Sequence, residues 1–352
     1  ELIAEVSSSD WTPDGHVRHP TFKGLRTDKP ASAITREAVQ HQTKATHAAT
    51  AKAAAVRTPS VRVTNPERVI DPSTGLTKVD LVRYYEPISE WLLPHLKNRP
   101  VSLVRAPTGI TGQLFFQKHL ESKMPGLDEY SPDLWPGHTA LLGVNSHSAL
   151  MAAAQLNVVE FHTWNSVART IDRPDRVIFD LDPGEGVTWA HVQEAALLVR
   201  TMLSELGLES WVKTSGGKGL QGGAPLAPKV DYEVVKGFSQ AVVQHMARAI
   251  PQRFVAKAGG ENRIGKIFID YLRNGHSQTT AAAFSARARP GLGVSVPVAW
   301  EDVPGLKSGA QWTIVNAREY VSFQKVDPWA DYWKSRQTLV RAMKRLGYIP
   351  GR

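Results

Sequence analysis

The chain contains no cysteine in its 352 residues. That absence excludes a disulfide scaffold, a thiolate zinc site and a cysteine nucleophile, and it is compatible with a reducing compartment. No apolar run approaches the roughly 18 residues of a membrane span, and the start lacks a charged n-region followed by an apolar h-region. Neither a transmembrane helix nor a signal peptide is therefore expected. Residues 30–58 contain no aromatic, no leucine and no glycine, and only Ile34, Val39 and Val56 stand out as larger apolar residues among alanines and threonines. Such a stretch cannot bury enough surface to offset the entropy of ordering it, so it reads as a linker with transient helix. Acidic charge is also scarce. There are 42 Lys+Arg against 33 Asp+Glu, a net +9. That excess suggests an anionic partner, with nucleic acid first, and a basic but inert surface is the equally weighted competing reading.

What is present indicates a folded chain. Hydrophobic residues make up 42%, enough for a sizeable core, and the length suggests roughly two domains. From about Val61 the pattern is globular α/β. Thr77-Lys78-Val79-Asp80 has the form of a capping box, and Leu81, Tyr84, Tyr85, Ile88, Trp91 and Leu92 follow at helical spacing, with Pro94 and Pro100 marking the end. Leu156 to Trp164 reads as a strand. A β-α-β signal follows: a strand Val177–Leu181, a helix capped by Thr188 and closed by Gly207, and a strand from Ser210 to Thr214. Asp231 can cap a further helix with Val234, Val235, Phe238, Val242 and Met246 inward. Lys266 to Tyr271 and Val294 to Val298 read as strands.

Four features carry chemistry. Asp180-Leu181-Asp182 at a strand end puts two carboxylates on one face, where a divalent cation would relieve their repulsion; a solvated loop is the competing reading. Phe268-Ile269-Asp270-Tyr271-Leu272 sets one carboxylate in an apolar strand, which calls for a partner such as a shared metal, unless the Asp lies on an exposed edge. Thr214-Ser215-Gly216-Gly217-Lys218-Gly219 follows a strand and offers glycine N–H groups, a hydroxyl and a cation to phosphates, although it is not a Walker A motif and also suits a flexible hairpin. Finally, cations adjoin turns and aromatics. Arg68 and Lys78 flank the turn at Asp71-Pro72-Ser73-Thr74-Gly75, and Phe115-Phe116-Gln117-Lys118 pairs aromatics with a cation. Arg263, Lys266, Arg273, Arg287 and Arg289 surround the third Asp strand. These groups suit phosphates and unstacked bases, or a core Phe and a solvated face.

Residues 61–335 resemble the polymerase domain of bacterial DNA ligase D, in the archaeo-eukaryotic primase superfamily. The resemblance rests on six ordered motifs: Thr64-Asn65-Pro66-Glu67-Arg68-Val69, Phe115-Phe116-Gln117-Lys118, Val159-Glu160-Phe161-His162-Thr163-Trp164, Phe179-Asp180-Leu181-Asp182-Pro183-Gly184, Thr214-Ser215-Gly216-Gly217-Lys218-Gly219-Leu220 and Ile267-Phe268-Ile269-Asp270-Tyr271. Trp11-Thr12-Pro13-Asp14-Gly15, Arg18-His19-Pro20 and Gly24-Leu25-Arg26 resemble the close of the ATP-dependent ligase domain of the same protein. The implied organisation is a ligase OB-fold tail over 1–29, the linker over 30–58 and a primase-polymerase domain over 59–352. The implied fold is α/β: a primase-like catalytic core with an RRM-like central sheet, plus an N-terminal α/β subdomain.

The resemblance also implies a function. Asp180, Asp182 and Asp270 would hold two Mn²⁺ or Mg²⁺ ions. His162, Ser215, Lys218, Gln221 and Arg287 would bind the incoming NTP or dNTP. Arg68 and Lys78 would take the 5′-phosphate of a DNA end or gap, Phe115 and Phe116 would pack on the template, and Arg263 would guide it. The implied role is gap filling and end extension in bacterial non-homologous end joining, beside a Ku-type end-binding protein and the ligase portion, in a cytoplasmic, nucleoid-associated setting. The chain departs from the family pattern at Gln221-Gly222-Gly223-Ala224, where a His and β-branched residues are usual, and at Ala282-Ala283-Phe284-Ser285-Ala286. Gln cannot carry the charge of His. A catalytically impaired end-binding and bridging module is therefore the alternative, and a metal nuclease a third.

Overall fold

The structure is a computed structural model, and it describes residues 3–7, 10–11, 17–18, 21–26, 61–119, 124–324 and 326–351. The expected linker over 30–58 lies outside the described residues. The chain divides into two compact units, Glu1–Lys52 and Ala53–Arg352. In the first, β1 (Ile3–Ser7) pairs antiparallel with β4 (Thr21–Arg26), and β2 (Asp10–Trp11) with β3 (Val17–Arg18).

The second unit opens with a hairpin, β5 (Val69–Asp71) and β6 (Leu76–Thr77), leading into α1 (Lys78–Leu96). The capping box is present: Asp80 Oδ2 accepts from Thr77 N–H at 2.9 Å and from Thr77 Oγ1 at 2.7 Å. The helix runs through Pro94 to Leu96, because a proline in the last turn removes only one bond. Then come β7 (Val101–Arg105), β8 (Phe115–Gln117), β9 (Asp128–Glu129), β10 (Leu142–Gly143), α2 (His147–Gln155) and β11 (Val158–Trp164). The following stretch contains β12 (Arg176–Pro183), α3 (Trp189–Glu205), β13 (Trp211–Thr214), β14 (Leu220–Pro225), α4 (Tyr232–Ala249), β15 (Phe254–Val255), β16 (Ile267–Asp270), β17 (Thr279–Ala281) and β18 (Pro297–Val298). Helices α5 (Ala317–Phe323) and α6 (Val340–Leu346) close the chain.

Two six-stranded sheets result. One is ordered β17-β11-β7-β10-β9 with β8 on β7, and the other β15-β16-β12-β14-β13-β18. In the second, β14 lies between β12 and β13, so the expected β-α-β is split by an antiparallel strand. The N-terminal part is not closed by local chain alone, since β17 returns to pair with β11. The expected strand over 294–298 is reduced to Pro297–Val298. Thr214 Oγ1 takes the Val296 N–H at 2.9 Å, and Pro297 has no N–H to give.

Alternation positions the site. Val177, Phe179 and Leu181 of β12 are buried in the core with Val192, Ala195 and Val199 of α3 and Val235, Phe238 and Val242 of α4. Asp180 and Asp182 therefore project from the opposite face. Thr188 and Asp231 cap α3 and α4 as expected, and Gly207 adopts the left-handed φ of +81° after α3. Two polar devices join the sheets and finish their edges. Buried Arg176 donates from Nε to Asn165 Oδ1 and from Nη2 to Thr163 Oγ1, both at 2.8 Å, tying β12 to β11. The Asn274 side chain accepts the Ile178 N–H at 2.8 Å and donates to the Ile178 carbonyl at 2.7 Å, replacing a strand where β16 has ended.

The two glycines of β14 differ. A Cβ on Gly222 would meet Val199, Trp300 and the Trp211 carbonyl oxygen at 3.8–4.0 Å, ordinary contact distances, whereas one on Gly223 would lie 2.8 Å from the Val177 carbonyl oxygen. Gly222→Ala is expected to stabilise the protein by about 0.5–1 kcal/mol. Gly223→Ala should destabilise it by at least about 1 kcal/mol. Urea unfolding of the two variants beside the wild type checks both signs.

Candidate active site

In antiparallel pairs, directly opposed residues share a face. Asp180 is opposed by Asp270 on one side and by Gln221 on the other, and Gln221 is opposed in turn by Lys213. One row therefore crosses four strands as Asp270, Asp180, Gln221, Lys213, with Asp182 two residues along from Asp180. Asp270 and Asp180 are adjacent as the sequence expects. Lys213 was not expected there. Its signal was the one that flagged Asp270, a single charge in the apolar strand Trp211-Val212-Lys213-Thr214.

Burial is the largest influence on Asp180 and raises its pKa; Asp182 and Asp270 raise it further, while Lys213 and Arg273 oppose them. Burial lowers Lys213, whose ammonium donates to Ser295 Oγ at 2.5 Å. Asp270 is likewise raised, first by burial. Guanidiniums hold the other two carboxylates: Asp182 pairs with Arg263 at 2.6 Å and Asp270 with Arg273 at 3.0 Å. Among the described residues, no three Asp, Glu, His or Cys side chains converge as a finished metal site. The donor set nevertheless fits a hard divalent cation. Three carboxylates share a face, two on directly opposed residues, and their mutual repulsion is what such an ion relieves. Arg263, expected along a template, pairs with Asp182 in this structure.

The glycine loop is organised from within. Ser215 Oγ accepts N–H groups from Gly217 and Gly219, both at 3.1 Å. Gly219 backs onto the Leu181 carbonyl, where a Cβ would collide, so the loop lies against the strand that carries Asp180 and Asp182. Lys218 is exposed and borders, with Arg263, a cleft of about 980 Å³ beside the carboxylates.

Glu160 gathers the remaining nucleotide-site candidates. Its Oε2 accepts from His162 Nε2 at 2.6 Å and from Arg287 Nε at 2.9 Å, and its Oε1 accepts from Ala288 N–H at 2.7 Å. Arg287 also donates from Nη1 to the Ser215 carbonyl at 2.8 Å. His162, Arg287 and Ser215 thus form one assembly, and sequence reasoning assigned no role to the carboxylate that joins them. Burial would raise Glu160, but His162, Arg287 and the Ala288 N–H outweigh it and hold it at about 2. Burial lowers His162 despite that contact. Gln221 is buried, and its Oε1 has no hydrogen-bond partner.

The DNA-site candidates lie on other elements. Arg68 is exposed and donates from Nη1 to the Pro107 carbonyl at 2.9 Å. Lys78 is buried; burial and then the Arg68 charge lower it to about 8, and among the described residues no carboxylate pairs with it. Phe115 and Phe116 are 45% and 51% exposed, so neither is the core residue that a strand pair would usually supply. Phe116 meets the His162 ring at 5.7 Å, and Lys118 lies over the Phe116 ring at 5.8 Å.

A family model described as the LigD primase-polymerase domain matches residues 77–329. The multifunctional non-homologous end joining protein LigD of Pseudomonas aeruginosa is 44% identical over 349 residues, 98% of this chain and 42% of that protein. The corresponding protein of Mycolicibacterium smegmatis is 35% identical over 246 residues, 69% of this chain and 32% of its own length. This chain therefore spans less than half of these relatives. The solved polymerase domain from Mycobacterium tuberculosis ligase D in complex with DNA superposes with a TM-score of 0.71 at 29% identity, covering 78% of this chain and 99% of that one.

Glu160 makes a testable contribution to stability. A carboxylate depressed from 4.5 to about 2 stabilises the fold fully above the unfolded value and loses that contribution as pH falls towards 2. Glu160→Gln should cost about 3 kcal/mol near neutral pH, because it leaves Arg287 without its buried partner. The variant should also show a shallower loss of stability between the two pKa values, which urea unfolding across acid pH would measure.

Proposed function

The chain belongs to the LigD primase-polymerase family, a family of nucleotidyltransferases, and we propose that it fills gaps and extends DNA ends with NTPs or dNTPs during non-homologous end joining. The observation that carries this reading is the row Asp270, Asp180, Gln221, Lys213 lying against the Ser215–Gly219 loop, with the carboxylates at one end of the row and the glycine loop beside them. Asp180, Asp182 and Asp270 would hold two divalent ions, Mn²⁺ or Mg²⁺, which when bound activate a primer 3′-hydroxyl and neutralise charge on the phosphoryl group in transfer. Ser215 keeps its loop closed by accepting the Gly217 and Gly219 N–H groups, Lys218 supplies charge from the cleft wall, and Arg287 is aimed by Glu160. His162, fixed by the same carboxylate, sets its ring against Phe116 and would meet the nucleotide there. Arg68 and Lys78 suit a 5′-phosphate, Phe115 and Phe116 suit template bases, and Arg263 becomes available to a template phosphate when Asp182 takes another partner.

On this reading residues 59–352 are the polymerase body, 1–29 the end of a ligase OB-fold and 30–58 the linker between them. The ligase portion and a Ku-type end-binding protein would be its partners in a bacterial cytoplasm, near the nucleoid. One observation favours a second reading, a DNA-end binding and bridging module without turnover. Gln221 stands in the row with a buried, unsatisfied oxygen, as in a pocket that no longer grips its nucleotide.

Primer extension on a gapped duplex carrying a 5′-phosphate separates the readings. Extension with Mn²⁺ that falls to background in Asp180→Ala is expected. End binding without extension in any metal would favour the bridging module, and degradation would favour a nuclease. Gln221→His should tighten nucleoside triphosphate binding, read by titration of the ternary complex. Arg68→Ala and Lys78→Ala should each flatten the logarithmic salt dependence of end binding by about one unit and remove the preference for a 5′-phosphate. Since Lys78 titrates at about 8, that preference in the wild type should fade as pH rises through this value.

A further inference from the structure

Asp71 has no place in the chemistry above, yet it is fully buried and saturated with donors. Its Oδ1 accepts from the Ser73 N–H at 3.0 Å and the Ser73 hydroxyl at 2.7 Å, and its Oδ2 accepts from the Thr74 hydroxyl at 2.8 Å. These bonds close the turn of the β5–β6 hairpin. The remaining bond is of another kind. The Gly291 N–H, 220 residues away in sequence, reaches Asp71 Oδ2 at 2.7 Å.

The two ends of that bond lead to different sites. The open end of the hairpin holds Arg68 and Lys78 together, because the Lys78 N–H donates to the Arg68 carbonyl at 2.8 Å. Gly291 lies in the turn that carries Arg287 and Arg289, closed by the Arg287 N–H on the Gly293 carbonyl at 2.8 Å. Arg287 is bonded to the Ser215 carbonyl, and a Cβ on Gly217 would lie 3.1 Å from the Arg289 guanidinium. The turn is strained at Leu292, a non-glycine residue at φ of +47°, so what grips it matters to its shape. Glu160 grips one side through Arg287 and Ala288, and Asp71 the other.

We propose that Asp71 is a positioning residue that couples the two phosphate sites: a 5′-phosphate on the β5–β6 hairpin steadies the arginine turn and so strengthens binding of the incoming nucleoside triphosphate. The coupling rests on the polymerase reading of both sites. Reciprocally, a bound triphosphate strengthens retention of the 5′-phosphate end.

The test measures triphosphate affinity in complexes with Mn²⁺ and a gapped duplex whose primer ends in a 3′-dideoxynucleotide. The downstream strand carries either a 5′-phosphate or a 5′-hydroxyl. In the wild type the 5′-phosphate should tighten binding by about five-fold or more. Asp71→Asn offers one acceptor where two oxygens accept now, and it should bring the two duplexes to within about two-fold while still binding the 5′-phosphate end. Thr74→Val, which spares the Gly291 bond, should retain the difference. Should Asp71→Asn not fold, hydrogen exchange in the wild type decides: amides of residues 287–293 should exchange more slowly on the 5′-phosphate duplex than on the 5′-hydroxyl duplex. Equal wild-type affinities, a difference that survives in folded Asp71→Asn, or unchanged exchange would overturn the coupling and leave the polymerase reading standing. Absence of triphosphate binding on every duplex would overturn the polymerase reading, and the coupling with it.

Discussion

A carboxylate on a sheet face is stable only where charge or hydrogen-bond donors meet it, and this fold sets three of them close together. What makes that tolerable is the register of β12. Slipping a strand by one residue sends every side chain to the other face. Here such a slip would drive Asp180 and Asp182 into the core and lift Val177, Phe179 and Leu181 out of it. The apolar alternates packed beneath α3 and α4 therefore guarantee the polar ones above, and they also place Gln221 and Lys213 in line. Asn274 completes the constraint by pairing with Ile178 just beyond the point where Asp270 ends its strand.

Charge recurs as an organising device away from that row. Arg176 joins the sheets through neutral oxygens, Glu160 collects His162 and Arg287, and Asp71 reaches Gly291. Each is a buried ionisable group with at least one partner outside its own element. Loops joined this way hold a shape that their own φ values oppose, as at Leu292. Specific geometry is gained where unpaired charge would otherwise be costly.

Much of this was legible in the chain. Thr77, Thr188 and Asp231 declared their helices because a cap is local chemistry, and β12 and β16 declared themselves by composition. Period alone could place Asp180 and Asp182 on one face, whereas the face of Asp270 relative to them is set by the pairing of β16 with β12. The linking carboxylates could not be read: Glu160 meets Arg287 across 127 residues, and Asp71 meets Gly291 across 220. No local pattern reports a partner that far away. The pairing of Arg263 with Asp182 went unread for a related reason, since a cation near a DNA-sized surface and a cation closing on Asp182 look alike in sequence. The competing reading of the Phe115-Phe116 pair, one ring in the core, followed a sound rule, that strands bury alternate residues, and it does not hold here. Strand β8 pairs with β7 alone and is only three residues long, so neither of its faces is covered.

That uncovered strand has a consequence for how the protein would hold a nucleic acid. Contacts made by Arg and Lys draw on displaced counterions and fade as ionic strength rises. Base stacking on Phe115 and Phe116 instead draws on the removal of apolar surface from water, which added salt leaves intact and kosmotropic salts strengthen. One ligand would thus be held by two kinds of force with different responses to the medium. In dilute buffer the backbone would dominate; in concentrated salt the bases would, and the complex would pass from reading charge to reading exposed rings without any change in the fold.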